Sequence, residues 1–194
     1  MKLIDLSIGY PQGKSSRVVM KGINAELHKG RLTCLIGANG AGKSTLLRTI
    51  SAFQPKLGGD IIIRGRKLES FSREELARLI GVVLTERPSV QHLTARQMVA
   101  MGRSPYTGFF GRLSDEDNAV VTESMRMVGI EHLAERMVHS LSDGERQKMM
   151  TAKALAQQTD VIFLDEPTAF LDYGSKVDTL QMLHQLCNVE GKTI

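Results

Sequence analysis

The stretch GANGAGKS, residues 37–44, decides the fold, because it fits the phosphate-loop pattern G-x-x-x-x-G-K-[ST]. The apolar run RLTCLI at 31–36 predicts a strand before the loop, and TLLRTISA at 45–52 has the rhythm of a helix after it. Glycines let backbone N–H groups approach a polyphosphate closely, and the start of a helix attracts anions. We therefore expect the Lys43 ammonium to contact the outer phosphates of a nucleotide and the Ser44 hydroxyl to bind its Mg²⁺. The other loop positions expected to bind the nucleotide are Gly37, Asn39, Gly40, Ala41, Gly42 and Thr45.

Two adjacent carboxylates follow a second apolar run, VIFL at 161–164. Asp165 and Glu166 then lie at the C-terminal edge of a predicted parallel strand, which is where open α/β sheets bind ligands. Asp165 is suited to the outer coordination sphere of a Mg²⁺ ion. Glu166 is placed to orient or deprotonate an attacking water. Together with the phosphate loop upstream, this pair predicts a site that hydrolyses a nucleotide.

The chain changes character twice along its length. Alternating apolar and polar residues predict strands near the start, and strand-like runs disappear after about residue 87. Helical patterns replace them, and a strand, VIFL, returns only after a helix predicted at 143–156. The alternation of strands and helices predicts an α/β fold with a parallel sheet. We expect residues 1–87 and 147–194 to form this nucleotide-binding core and residues 88–146 to form an inserted helical subdomain.

Composition restricts the class of protein. The chain has 194 residues, 42% of them hydrophobic, and a formal net charge of +4. No stretch approaches the ~20 apolar residues of a membrane helix, and the N-terminus does not resemble a signal peptide. These features predict a soluble cytosolic protein. The two cysteines, Cys34 and Cys187, are expected to be small buried residues in a reducing compartment.

The residues between the phosphate loop and the acidic pair resemble a known family. LSDGE, residues 141–145, resembles the signature sequence of ABC-type ATPases, usually LSGGQ, and it precedes the acidic pair as that family requires. Pro167 follows the pair as in the family, and AFLD at 169–172 resembles the family's D-loop. The resemblance covers essentially the whole chain. It implies a P-loop NTPase fold, with a RecA-like parallel core, an N-terminal antiparallel β-subdomain and the inserted helical subdomain.

The resemblance also implies roles for further residues. Tyr10 occupies the place of the aromatic residue that stacks on adenine. Two subunits should pair head to tail, with each ATP between the phosphate loop of one and the signature of the other. The signature and D-loop residues expected to contact this nucleotide are Ser142, Gly144, Glu145 and Asp172. A simple helix-cap role for Ser142 is the alternative reading.

A membrane permease is the partner that the resemblance implies. The segments 101–106 (MGRSPY) and 111–117 (GRLSDED) resemble the ATPases of iron–siderophore, haem and cobalamin importers. This places the expected protein at the cytoplasmic face of the inner or plasma membrane, in indirect contact with a substrate-binding protein. The alternative for these two segments is a surface loop with Gly and Pro turns.

Two departures from the family pattern stand out. The family usually carries Gln after the strand that ends near Leu84, whereas Glu86 takes that place here. A carboxylate can still ligate Mg²⁺ but cannot donate the amide hydrogen bonds of Gln. Gln91 is a less favoured substitute for the missing Gln. We therefore expect Glu86 to be a third residue at the metal.

The second departure concerns a histidine that contacts the γ-phosphate in the family. That histidine follows the strand beginning here at Lys192, and the chain ends before it. None of the chain's histidines has the required position: His28, His92, His132, His139 and His184. We expect a C-terminally truncated form that binds Mg-ATP but hydrolyses it poorly.

Two other functions remain open from the sequence. A non-catalytic ATP-binding regulator is favoured by Glu86 and by the missing histidine, but disfavoured by Glu166. A cytosolic ABC-type ATPase acting on nucleic acid is disfavoured, because basic patches with interleaved aromatic residues are missing. We therefore expect no nucleic-acid partner.

Overall fold

The computed structural model describes residues 1–12, 15–85, 90, 92–108 and 111–194. The strands are β1 Lys2–Gln12, β2 Ser15–Glu26, β3 Gly58–Ile63, β4 Arg66–Lys67, β5 Ile80–Val83 and β6 Val161–Leu164. The α-helices are α1 Lys43–Ile50, α2 Arg73–Leu79, α3 Ala95–Ala100, α4 Asp115–Met127, α5 Asp143–Ala156 and α6 Tyr173–Asn188. Short 3₁₀ helices occur at Leu68–Ser70, Met101–Arg103, Glu131–Leu133 and Val138–Ser140.

The N-terminal strands form an antiparallel sheet in the order β2-β1-β3-β4. Strands β1 and β2 pair along their length, with irregular register near Leu6 and Ile8. Both side chains are fully buried, as is that of Ile61 on β3. They pack with apolar residues of α1, β5 and β6 in one hydrophobic core. Burial of each such side chain contributes roughly 1.5–3 kcal/mol, so this core holds β1 against the helix that follows the phosphate loop.

A parallel pair of strands, β5 and β6, carries the acidic residues at its C-terminal edge. The segment Lys192–Ile194 lies beside β6, because Ile162 N donates to Thr193 O at 2.9 Å. On its other side, Ile194 N donates to Arg31 O at 3.1 Å and Thr33 N to Ile194 O at 2.8 Å. The expected α/β class, with one antiparallel and one parallel sheet, is confirmed.

The strand predicted at 31–36 is wrong as a strand assignment. These residues are extended, but in the described chain their ladder bonds reach only Ile194, and a strand needs a continuing ladder. Ile36 is 91% exposed and Cys34 is also exposed, so burial was predicted correctly for Cys187 alone. An apolar run shows that a segment can be buried. Whether it is buried depends on a neighbouring strand, which the run itself does not predict.

Capping residues set the starts of several helices. Ser72, Thr94, Ser114 and Ser142 each accept a hydrogen bond from the backbone N–H three residues later, in reciprocal capping boxes. The expected helix at 143–156 is observed with those bounds. A second hydrophobic core joins α3, α4, α5 and α6 to β5. No helix in the described part of the chain has the length and apolar character needed to cross a bilayer.

The segment 101–117 contains a buried arginine, Arg103, with a structural role. The Arg103 side chain is only 6% exposed, and its Nε lies 2.8 Å from Asp117 Oδ1. Its Nη1 donates to Ala156 O at 2.8 Å and to Gln158 Oε1 at 2.7 Å, and its guanidinium stacks on the Tyr106 ring at 4.0 Å. The arginine therefore links α4 to the C-terminal end of α5, where the helix dipole also stabilises a cation.

Asp117 completes this cluster from the first turn of α4. Ser114 donates to its carboxylate through both the backbone N–H, at 2.9 Å, and the hydroxyl, at 2.7 Å. These bonds, together with Arg103, lower the pKa of Asp117 to about 2. Because the folded-state pKa is depressed, the stabilising contribution is present above the ordinary value of 3.8 and is lost as the pH falls toward 2.

Replacing Arg103 with Met should lower the melting temperature on the order of 10 °C, because it leaves the buried Asp117 carboxylate and the buried Ala156 carbonyl without this partner. Arg126→Met is the matched control. Arg126 lies on α4 and pairs with Glu123, but its side chain is 64% exposed, so its loss should change the melting temperature by less than about 3 °C. Equal shifts in the two variants, measured by circular dichroism, would contradict a structural role for the buried cluster.

Candidate functional site

A cavity of about 460 Å³ lies between the N-terminal sheet, the phosphate loop and the end of β6. Its size is in the range of small-molecule and cofactor sites. Most of the predicted nucleotide-binding residues line it, together with the predicted general base. The lining residues are Tyr10, Arg17, Val19, Asn39, Gly40, Gly42, Lys43, Ser44, Thr45 and Glu166.

The phosphate loop is held together by its own lysine. Lys43 Nζ donates to Gly37 O and to Ala38 O, each at 2.9 Å. An ammonium has three N–H donors, so one donor remains for an oxygen in the cavity. Gly42 stands at the N-cap of α1 with a φ of 99°, a left-handed conformation that glycine adopts without strain. The first N–H groups of α1 have no intrahelical acceptor, and the residues that carry them line the cavity.

Two side-chain oxygens that can act as metal ligands meet where α1 approaches β6. Ser44 Oγ donates to Asp165 Oδ1 at 3.0 Å. The aspartate backbone is fixed by β5, because Asp165 N donates to Val83 O at 2.9 Å and Thr85 Oγ1 donates to Asp165 O at 2.8 Å. A hydroxyl and a carboxylate are hard oxygen donors, and Mg²⁺ is commonly held by one or two such groups plus substrate phosphates. These residues therefore fit a magnesium ion chemically.

Glu166 lies at the junction of two cavities. It lines the large cavity and also a second one of about 40 Å³, which is formed with α5 and the loop that follows β6. Its φ is 49°, in the left-handed region that is costly for a residue with a side chain. Ala169 N donates to Glu166 O at 2.9 Å and closes this turn. The strained turn keeps the exposed carboxylate at the large cavity.

Tyr10 lines the cavity from β1 and contacts the first turn of α1. Its hydroxyl lies 3.0 Å from Thr45 Oγ1, within hydrogen-bonding distance. Tyr10 is 42% exposed and lines the cavity, so its ring is accessible there. An accessible ring of this kind suits stacking on a planar base.

The signature residues do not line the large cavity. Ser142 Oγ accepts from Glu145 N at 3.3 Å, and Ser142 N donates to Glu145 Oε2 at 2.8 Å. The latter bond lowers the pKa of Glu145. Gly144 packs beside α6, since a Cβ there would lie 3.3 Å from Ser175 Oγ. Within this chain, Ser142 and Glu145 thus cap α5, and contact of the signature with a nucleotide stays a prediction.

Asp172 has a structural role in this chain. It caps α6, since Ser175 N donates to its Oδ1 at 3.0 Å and Ser175 Oγ to its Oδ2 at 2.7 Å. The backbone bond from Ser175 lowers the pKa of Asp172. Glu86, expected at the metal, and Gln91, its alternative, lie outside the residues that the structure describes.

Sequence reasoning missed three residues at the site. Arg17 and Val19 line the cavity from β2, and Thr85 holds the backbone of Asp165. No motif marks them. The available signal is the hairpin itself, because pairing of β1 with β2 brings Arg17 opposite Tyr10.

Comparison with known proteins agrees with this geometry. The ABC transporter family profile matches residues 20–169. An uncharacterised ABC transporter ATP-binding protein of Methanocaldococcus jannaschii is 43% identical over 194 residues, which is all of this chain and 66% of that protein. The ferric enterobactin transport ATP-binding protein FepC of Escherichia coli is 38% identical over 97% of this chain and 68% of its own length. The chain thus spans about two thirds of the length of these curated relatives.

Solved structures of ATP-binding cassettes share the fold. The dimeric post-hydrolysis state of the cassette MJ0796 bound to ADP and Pi superposes with a TM-score of 0.81, at 28% identity, over 99% of this chain and 84% of that one. The cbiO1 protein of Clostridium perfringens, part of the ABC transporter complex cbiONQ, gives a TM-score of 0.83 at 25% identity, over 98% of this chain and 75% of that one. On the family match, the sequence identity and the shared fold, the chain belongs to the ABC transporter ATP-binding family.

Proposed function

We propose that the chain binds and hydrolyses Mg-ATP as the motor subunit of an importer whose membrane permease is a separate protein. The observation that carries this proposal is the convergence of three groups on one cavity: the Lys43 ammonium, the first N–H groups of α1, and Glu166. A binding protein for a neutral ligand needs neither a cationic phosphate cradle nor a carboxylate held in a strained turn beside it.

The phosphate loop supplies the binding energy for the polyphosphate. Lys43 keeps its ammonium beside the loop through the Gly37 and Ala38 carbonyls, so little reorganisation is needed when a phosphate oxygen arrives. Ser44 and Asp165 would hold Mg²⁺, which neutralises phosphate charge when it is bound. Tyr10, which lines the same cavity, would stack on the adenine.

Glu166 would act on the water that attacks the γ-phosphorus. Its carboxylate accepts a proton from that water as the new P–O bond forms and the bond to ADP breaks. The products are ADP and inorganic phosphate, and the proton leaves Glu166 for solvent or phosphate. The turn at Glu166 is suited to this role, because it holds the carboxylate at the cavity and away from the buried strand.

The signature would act in trans. Ser142 and the N–H groups at the start of α5 do not line the cavity of their own chain, so a nucleotide could meet them only across a pair of subunits. The relative MJ0796 is dimeric with its nucleotide products bound, which supports a head-to-tail homodimer here. ATP would then join the two subunits, and hydrolysis would release them.

For the substrate we propose an iron–siderophore, haem or cobalamin-type compound. Relatives at 36–38% identity are named for import of iron(3+)-hydroxamate, transport of ferric enterobactin and import of cobalamin. The segment 101–117, which resembles this importer type, includes the Arg103 cluster. We further propose that the subunit lies at the cytoplasmic face of the membrane, held by the permease, and that it meets the substrate-binding protein only indirectly.

The test is reconstitution of the full natural chain with its permease in liposomes. We expect phosphate release that requires Mg²⁺, together with ATP-dependent uptake of one of three labelled probes: a ferric hydroxamate, haem or cyanocobalamin. Uptake of none of them, with ATP hydrolysis intact, would overturn the substrate class. Tight ATP binding without turnover would instead favour the non-catalytic regulator.

A further inference from the structure

We propose that Arg17 on β2 is an additional nucleotide-binding residue, which holds the α-phosphate of ATP beside Tyr10. This inference rests on the proposed function, because it assumes that the cavity takes a nucleotide. No motif in the chain includes Arg17, and its assignment comes from the tertiary structure alone.

The first argument is position. Arg17 pairs directly with Tyr10 across the β1–β2 hairpin. Side chains of a directly opposed pair lie on the same face of an antiparallel sheet, with Cβ atoms about 4.5–5.5 Å apart. Both side chains line the 460 Å³ cavity. The Arg17 side chain therefore starts from the same face of the sheet as the ring that would stack on the base.

The second argument is how β2 is anchored to the phosphate loop. A Cβ added to Gly42 would lie 2.5 Å from Val19 Cγ1, so Val19 packs against the N-cap residue of α1. Arg17 is two residues from Val19 on the same strand, so both side chains project to the same face about 7 Å apart. An arginine side chain spans this distance easily, and its head can reach the space above the start of α1.

The third argument is that the Arg17 guanidinium is uncommitted. Within the described residues it makes no ion pair and no hydrogen bond, although Arg64, Arg66, Arg103 and Arg126 each pair with a carboxylate. An exposed cation without a partner at the rim of a cavity is available to an anion. The carboxylate that shares the cavity, Glu166, is assigned to the attacking water by the proposed function.

The proposed function assigns the contacts at the start of α1 to different parts of the nucleotide, and this assignment identifies the phosphate. Ser44 with Asp165 would meet the metal and the outer phosphates, whereas Tyr10, whose hydroxyl lies near Thr45 Oγ1, would meet the base. Arg17 is paired with Tyr10. A planar guanidinium there matches the geometry of a phosphate oxygen pair, and the phosphate nearest the base is the α-phosphate.

The experiment compares ATP and ADP affinities by isothermal titration calorimetry in the wild type, Arg17→Ala, Arg17→Lys and Lys21→Ala. Lys21 is the matched control, because it is an exposed cation on the same strand that does not line the cavity. We expect Arg17→Ala to weaken ATP and ADP equally, about tenfold, because both carry the α-phosphate. Arg17→Lys should weaken them less, and Lys21→Ala should change either affinity by less than about twofold.

Several outcomes would overturn the assignment. Unchanged affinity in Arg17→Ala, or equal loss in Lys21→Ala, would remove a specific role for Arg17. Loss for ATP but not for ADP would move the contact to the γ-phosphate, and a changed ratio of ATP to GTP affinity would move it to the base. If the wild type itself binds neither nucleotide, the proposed function fails rather than this inference. A thermal melt of each variant shows that it is folded.

Discussion

Replacing Lys43 with Ala should weaken ATP binding by roughly 100-fold, since a charge-assisted hydrogen bond to phosphate is lost and the loop carbonyls lose their shared donor. The affinity for ADP should fall as well, because the phosphate loop itself is disordered by the change. Calorimetric titration in the presence of Mg²⁺ measures both constants.

Lys29→Ala is the control for this prediction. Lys29 is exposed and does not line the cavity, so removing its charge tests non-specific attraction of the nucleotide. The ATP affinity of the Lys29→Ala variant should stay within about twofold of the wild type. ATP binding by Lys43→Ala that matched the control would refute the phosphate-loop assignment, provided that the variant melts cooperatively.

Replacing Glu166 with Gln should lower steady-state phosphate release by at least about 100-fold and leave ATP binding nearly unchanged. The amide has the same shape as the carboxylate, so the turn with its φ of 49° is retained. An amide cannot accept the proton of the attacking water, so the ATP-bound state persists. In the full natural chain we therefore expect an ATP-bound dimer to accumulate.

Light scattering after size-exclusion chromatography measures this dimer with saturating ATP and Mg²⁺. Glu190→Gln serves as the control, because Glu190 is exposed at the end of α6 and lines neither cavity. Phosphate release by that variant should equal that of the wild type. A Glu166→Gln protein that stays monomeric at saturating ATP would count against the head-to-tail arrangement, and one that hydrolyses normally would remove Glu166 as the base.

The elements predicted best were those whose signals are local. The helix predicted at 143–156 follows Ser142, which precedes Glu145 by three residues and begins the helix through a capping box. These bonds form within four residues, so the sequence contains all the partners. The strand at 161–164 was predicted with its observed bounds for a related reason, because four consecutive apolar residues end at two charged ones.

The least successful prediction depended on distant partners. The run at 31–36 has the composition of a buried strand, yet Leu35 is 55% exposed and Ile36 is 91% exposed. Strand formation depends on what lies on either side of the segment, and here the described ladder bonds reach only Ile194. Composition gives no information about that neighbour.

The sequence by itself determined the family, the α/β class, and the phosphate-binding character of residues 37–44, because these depend on motifs whose spacing is contained in one stretch of chain. Only the tertiary structure decided that Tyr10 meets Thr45, that Ser44 meets Asp165, and that Glu166 opens onto the same cavity. It also placed Arg17 beside Tyr10 and buried Arg103 between α4 and α5. These contacts join residues far apart in the chain, and the packing of two hydrophobic cores, rather than any local pattern, brings them together.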